Sequence, residues 1–167
     1  MNERQLLRHF LAALVYRTQK ALGGAPDGYP DFRAGHGLRT PHEILWHMTS
    51  VLGYARTHFV GGEYRPRILE EFEREVERFH GMLADLSRQL ESDAPLLGTT
   101  PARLLQGPLA DAMTHAGQLA MLRRLASSPI PPENFIVAAI EAENVGPEQP
   151  EPVSSDKAWY DAEEEPH

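Results

Sequence analysis

The chain has 167 residues, of which 41% are hydrophobic and 8% aromatic, and a formal net charge of −8. That length suits one domain with a substantial core. The charge is uneven: residues 1–140 balance 15 acids with 15 bases, and the last 27 residues carry nine acids against Lys157 alone. A neutral body with an acidic end predicts no nucleic-acid partner, because phosphate binding needs excess positive charge. The absence of cysteine excludes a disulfide frame, a thiolate metal site and a cysteine nucleophile.

In chain order, the first predicted helix covers residues 3–22. Leu6, Leu7, Phe10, Leu11, Leu14 and Val15 share a broad apolar face, and Gly23-Gly24 stops it. Its apolar run is interrupted by Arg8 and His9, is too short for a membrane span and lacks a cleavage pattern, which predicts a cytoplasmic protein with no membrane partner. A Gly-, Pro- and Asp-rich loop follows. Thr40-Pro41-His42-Glu43 then combines a cap, a proline suited to the first turn and a capping-box glutamate, predicting a second helix to about Phe59.

The third helix is predicted over about 67–92, because Leu69, Phe72, Val76, Phe79, Leu83, Leu86 and Leu90 recur at steps of three and four. Thr100-Pro101 opens a fourth, to about Ala126, with a kink predicted at Gly107-Pro108. A shorter fifth helix is predicted around 132–140. The expected fold is therefore all-α: an antiparallel four-helix bundle over 1–140 with an acidic Pro/Glu-rich tail over 141–167. Within the tail, Glu163–Glu165 reads as solvated, and Trp159-Tyr160 as an anchor against the bundle or a partner.

Histidine supplies the candidate chemistry. His47 shares a stripe with Val51 and Tyr54, at the interior or its edge. Asp111 and His115 are four residues apart, so they project from one helix face about 6 Å apart along the axis. Gln118 continues that face, and Gly117 allows close approach. Two imidazoles and a carboxylate from facing helices suit zinc, nickel or iron and leave coordination positions open. The same spacing also fits an ordinary Asp–His ion pair beside a hydrogen-bonded core histidine. His42 is expected to be solvated and, about 140° around the axis from His47, not to share an ion with it. His58 lies too far along the helix. His9 and His80 read as edge residues, His36 as a loop residue able to fold over the bundle mouth, and Trp46 and Tyr54 as packing residues.

The segments Thr40–Arg56 and Leu109–Arg124 resemble the DinB-like (YfiT-like) four-helix-bundle superfamily. The resemblance runs in helix order over about residues 3–140. Its most specific piece is His115-Ala116-Gly117-Gln118-Leu119, which is similar to the His-x-Gly-Gln ending of that family's fourth-helix motif. The resemblance implies a divalent metal, often zinc or nickel, held by three histidines. By motif, His47 and His115 take two of those positions, and Asp111 stands where the family has the third. A carboxylate there either preserves a facial triad or marks a weakened site. The resemblance further implies a homodimer and a metal-dependent transferase acting with a low-molecular-weight thiol, or a hydrolase; no separate general base is identifiable. The competing expectation is a non-catalytic dimeric binding or structural module with a degenerate metal site.

Overall fold

The computed structural model describes residues 1–92 and 94–153. Helix α1 (Glu3–Leu22) begins at a complete capping box: Asn2 Oδ1 accepts from the Gln5 amide at 2.9 Å, and Gln5 Oε1 accepts from the Asn2 amide at 2.8 Å. Its buried face carries Leu7, Leu11, Leu14 and Val15, whereas Leu6 is half exposed. Helix α2 (Pro41–Val60) starts as the sequence predicts, with the Thr40 hydroxyl and the Glu43 carboxylate satisfying each other's backbone amides.

Helix α3 (Phe72–Glu91) begins five residues later than its periodicity predicts. The cause is a buried carboxylate. Glu75 accepts the backbone amide of Leu69 at 3.2 Å and the Arg78 Nε at 3.0 Å, and Arg78 also donates to the Arg67 carbonyl. These bonds hold residues 67–69 extended along the first turn of α3, and the indole of Trp46 secures the same stretch by donating to the Pro66 carbonyl at 3.0 Å. Upstream, the Tyr64 ring lies directly against Gly53, where any Cβ would collide with it.

The fourth rod has three parts: α4 (Pro101–Leu104), a π-helical turn over Leu105–Leu109, and α5 (Ala110–Leu125). The predicted kink is present, with Gly107 at φ −96°, ψ −106° ahead of Pro108. The predicted fifth helix at 132–140 is not formed; the segment contains only a 3-10 turn, Phe135–Val137. Asn134 competes with helical bonding by accepting the Ile136 amide on its side chain. Glu133 is drawn down onto α1, where its fully buried carboxylate meets Lys20 and the Tyr16 hydroxyl, the latter at 2.7 Å.

The long helices pack around one core, α1 touching α3 and α5, and α2 touching the same two. Leu11, Leu14, Leu45, Met48, Leu52, Phe79, Leu83 and Leu119 are fully buried there. Buried Arg123 closes one end of this core. Its guanidinium donates to the carbonyls of Ala21, Gly23, Gly24 and Ser128, so one side chain satisfies the C-terminal ends of α1 and α5 together. The chain beyond Ile140 remains on the helices as far as it is described: Pro147 O accepts from Gln19 at 3.0 Å, and Val145 O lies 3.2 Å from His80 Nδ1. Glu163–Glu165 and Trp159-Tyr160 lie outside the described residues. The described residues are helical and irregular with no strand, and no helix among them is long and apolar enough to cross a membrane.

Candidate metal centre

Two local features aim three side chains at one point. The Thr40-Pro41 cap fixes the start of α2 and hence the bearing of His47, two turns in. The π-helical turn resets the helix just before Asp111, which occupies the first turn of α5, with His115 one turn on. His47 Nε2 lies 3.3 Å from Asp111 Oδ2, and His115 Nε2 lies 3.6 Å from Asp111 Oδ1. The imidazole rings meet edge to face at 4.7 Å, and the three donor atoms all fall within 4.8 Å of one another.

The two histidine–aspartate separations are close to what an ion would require. Zinc–nitrogen bonds of about 2.0–2.1 Å in a tetrahedron hold neighbouring donors about 3.3 Å apart. Exposure falls in sequence from Asp111 (47%) to His47 (26%) to His115 (11%), so the cluster opens to solvent on the aspartate side and is closed on the other.

Protonation favours the same use. Gln118 Oε1 lies 2.7 Å from His115 Nδ1 and accepts a hydrogen bond from its N–H, which in the neutral ring puts the lone pair on Nε2, facing Asp111. A lone pair facing a carboxylate oxygen is repulsive unless a proton or cation lies between them. Burial, together with the positive charge of Arg39 and the neighbouring His115, pushes the His47 imidazole below its ordinary pKa against the opposing pull of Asp111. His47 is therefore neutral at pH 7, the form in which imidazole ligates. Two imidazoles and one carboxylate are a donor set that fits a divalent ion.

Two cavities flank the cluster. One of about 270 Å³ lies on the His115 side, walled by Leu38, Arg39, Ile44, His115, Gln118 and Met121. The other, of about 550 Å³, lies on the Asp111 side beside the kink, walled by Val51, Tyr54, Gln106, Pro108, Asp111 and Thr114. Arg39 and both cavities are missing from the sequence reading. The available signal was the loop Gly35-His36-Gly37, where all three residues have positive φ (85°, 55° and 71°). That reversal turns the chain back, so that Gly37, Leu38 and Arg39 rather than His36 lie over the cluster.

The remaining candidates separate clearly. His42 is buried, not solvated: its ring packs edge-on against Phe72 at 5.4 Å, and its Nε2 has no hydrogen-bond partner among the described residues. His58 bonds the Leu97 carbonyl at 2.9 Å, far from the cluster. His80 is buried between Gln19 and Val145, and His9 is exposed. Trp46 packs as predicted; Tyr54 is 55% exposed and faces the larger cavity. In comparisons with family models, curated proteins and solved structures nothing matches this chain, so its own residues and their geometry carry the functional reading.

Proposed function

We propose that the protein is a DinB-like antiparallel four-helix bundle that binds a divalent metal ion at His47, Asp111 and His115 and uses it in a thiol-dependent transferase or a hydrolase reaction. The observation that carries this reading is the convergence of the three donor atoms within 4.8 Å, with Gln118 fixing the ligating tautomer of His115. The ring of contacts α1–α3–α2–α5 supports the bundle, and the resemblance of residues 40–56 and 109–124 supports the family.

In this reading His47 and His115 supply neutral nitrogens, Asp111 supplies the charge, and Gln118 holds His115 in place. A divalent ion at such a point stabilises the deprotonated form of a bound water or thiol. The open Asp111 side admits the incoming group, while the larger cavity beside it leaves room for the electrophile. Metal analysis of protein purified without chelator or affinity tag tests the reading. Stoichiometric zinc, nickel or iron that is lost in a folded His115→Ala variant is the expected result; metal-free wild-type protein that also takes up none of these ions on titration would refute it. Asp111→His, which restores three imidazoles, should retain the metal.

Homodimerisation is part of the same proposal. Leu125, at the end of α5, is about half exposed and offers an apolar contact to a second copy. Sedimentation analysis of wild type against Leu125→Glu reads it directly.

A further inference from the structure

The smaller cavity has a chemical character that the metal cluster does not explain. Its wall is apolar along Leu38, Ile44, Met121 and Leu122, and polar at Arg39, His115 and Gln118, of which His115 and the Gln118 carbonyl are engaged with each other. Arg39 is exposed and has no hydrogen bond or ion pair with any described residue. Gln118 spends its carbonyl oxygen on His115, and its amide nitrogen likewise has no partner among the described residues. The polar lining of this cavity is thus donor-rich: a guanidinium and a carboxamide N–H₂ share it with an otherwise apolar slot.

We propose that this cavity binds a small amphipathic monocarboxylate, with its carboxylate against Arg39 and Gln118 and its apolar body against Leu38, Ile44, Met121 and Leu122. As a statement about substrate, this rests on the metal reading above. Two neutral imidazoles, one carboxylate and a divalent ion leave the cluster with a net positive charge, and Arg39 adds to it. An anion is the ligand that such a wall attracts, and a planar guanidinium is shaped to receive a carboxylate through two parallel hydrogen bonds.

The cavity is open where Leu38 and Met121 are each about half exposed, and its volume sets the scale of the part of the ligand that it holds. About 270 Å³ corresponds to roughly nine water-sized groups at about 30 Å³ each, which is below the usual range for drug-sized ligands. Benzoate, with its flat apolar ring and single carboxylate, is a matched probe. His115 shares the cavity wall, so a ligand seated there lies beside the metal cluster and not at a remote site. Arg39 and Gln118 then act as binding and positioning groups, and the 550 Å³ cavity on the far side of the cluster remains available to a second reactant.

Calorimetric titration of the full-length protein with benzoate, in metal-stripped and zinc-loaded forms, tests the proposal. The controls are neutral benzamide and the variant Arg39→Gln, chosen because Arg39 makes no hydrogen bond or ion pair with the described residues. Saturable benzoate binding is expected in both forms, with Arg39→Gln weakening it about tenfold or more and leaving benzamide unchanged. Methyl shifts at Ile44 and Leu122 in the benzoate-bound protein would place the ligand in the slot. Equal affinity for benzoate and benzamide, or no loss on Arg39→Gln in a protein with unchanged melting, would overturn the proposal. Benzoate binding without zinc binding would uphold the cavity assignment and refute the metal reading; zinc binding without benzoate binding would do the reverse.

Discussion

Gln118 provides the sharpest test of the proposed metal centre, because it bonds a candidate ligand and is not one of the three itself. Its Oε1 is 2.7 Å from His115 Nδ1, and His115 is largely buried, so the bond is made in a setting where an unmet partner is costly. Replacing Gln118 with Met keeps the bulk and removes the acceptor. The imidazole is then free to carry its proton on Nε2, the atom that must ligate, and free to rotate. Loss of a hydrogen bond to a buried polar group costs about 1–3 kcal/mol. Loss of the outer partner of a ligating histidine lowers metal affinity about 10–100-fold, or about 1.4–2.7 kcal/mol. The two routes to the magnitude agree. Competition for zinc against a chromophoric chelator should therefore show Gln118→Met weaker by one to two decades, and Gln118→Glu equal to wild type or tighter, since a carboxylate accepts the same proton more strongly. Zinc affinity for Gln118→Met within about twofold of wild type, in a protein of unchanged melting temperature, would refute the tautomer argument.

Three further predictions concern the frame that holds the site. Gly53→Ala should destabilise the protein, because crowding against the Tyr64 ring costs about 1–3 kcal/mol and outweighs a helix gain of about 1 kcal/mol; in a Tyr64→Ala background the sign should reverse, which paired urea melts would read. Lys20→Met leaves the fully buried Glu133 carboxylate without its counter-charge and should cost about 3–5 kcal/mol in the same assay, whereas a loss under about 1 kcal/mol would mean that Glu133 is not held down on α1. Burial lowers the His80 pKa, partly opposed by the Val145 carbonyl and Glu148, so the unfolded chain takes up a proton before the folded one does. Stability should accordingly fall as pH drops from about 6.5 towards the lower folded value, by at most about 1.4 kcal/mol per pH unit, and His80→Gln should flatten that slope.

The parts of the structure legible in the sequence are those set by near neighbours. The Thr40–Glu43 box, the apolar seam of α3 and the Gly107-Pro108 kink all express interactions within a few residues. The four-residue spacing of Asp111 and His115 likewise put two donors on one face before any packing was known. What the sequence concealed was set at a distance. Leu69 and Phe72 sit on one helical period, yet the chain leaves the helix between them because Glu75 reaches back to take the Leu69 amide. His42 looks solvated in the first turn of α2, and Phe72 from another helix buries it. Ile136 and Val137 extend a plausible helix, but Glu133 is committed to Lys20 and Tyr16. Arg39 joins the site through three successive positive-φ residues, a conformation that no hydrophobic pattern encodes.

The wide turn at Leu105–Leu109 has a consequence for how the two halves of its rod came to coexist. Gly107 leaves the helical region at φ −96°, ψ −106° ahead of Pro108, so the rod is broken there into two helices whose phases are not tied to each other. It works as a phase joint: the apolar side of α4, with Leu104 buried, and the ligand-bearing side of α5 are indexed independently. A continuous helix through this point would lock the two phases together and force a choice between seating Leu104 in the core and pointing Asp111 at His47. The irregularity lets Leu104 seat in the core on one side of the break while α5, on the other, both packs in the core through Leu119 and turns Asp111 towards His47.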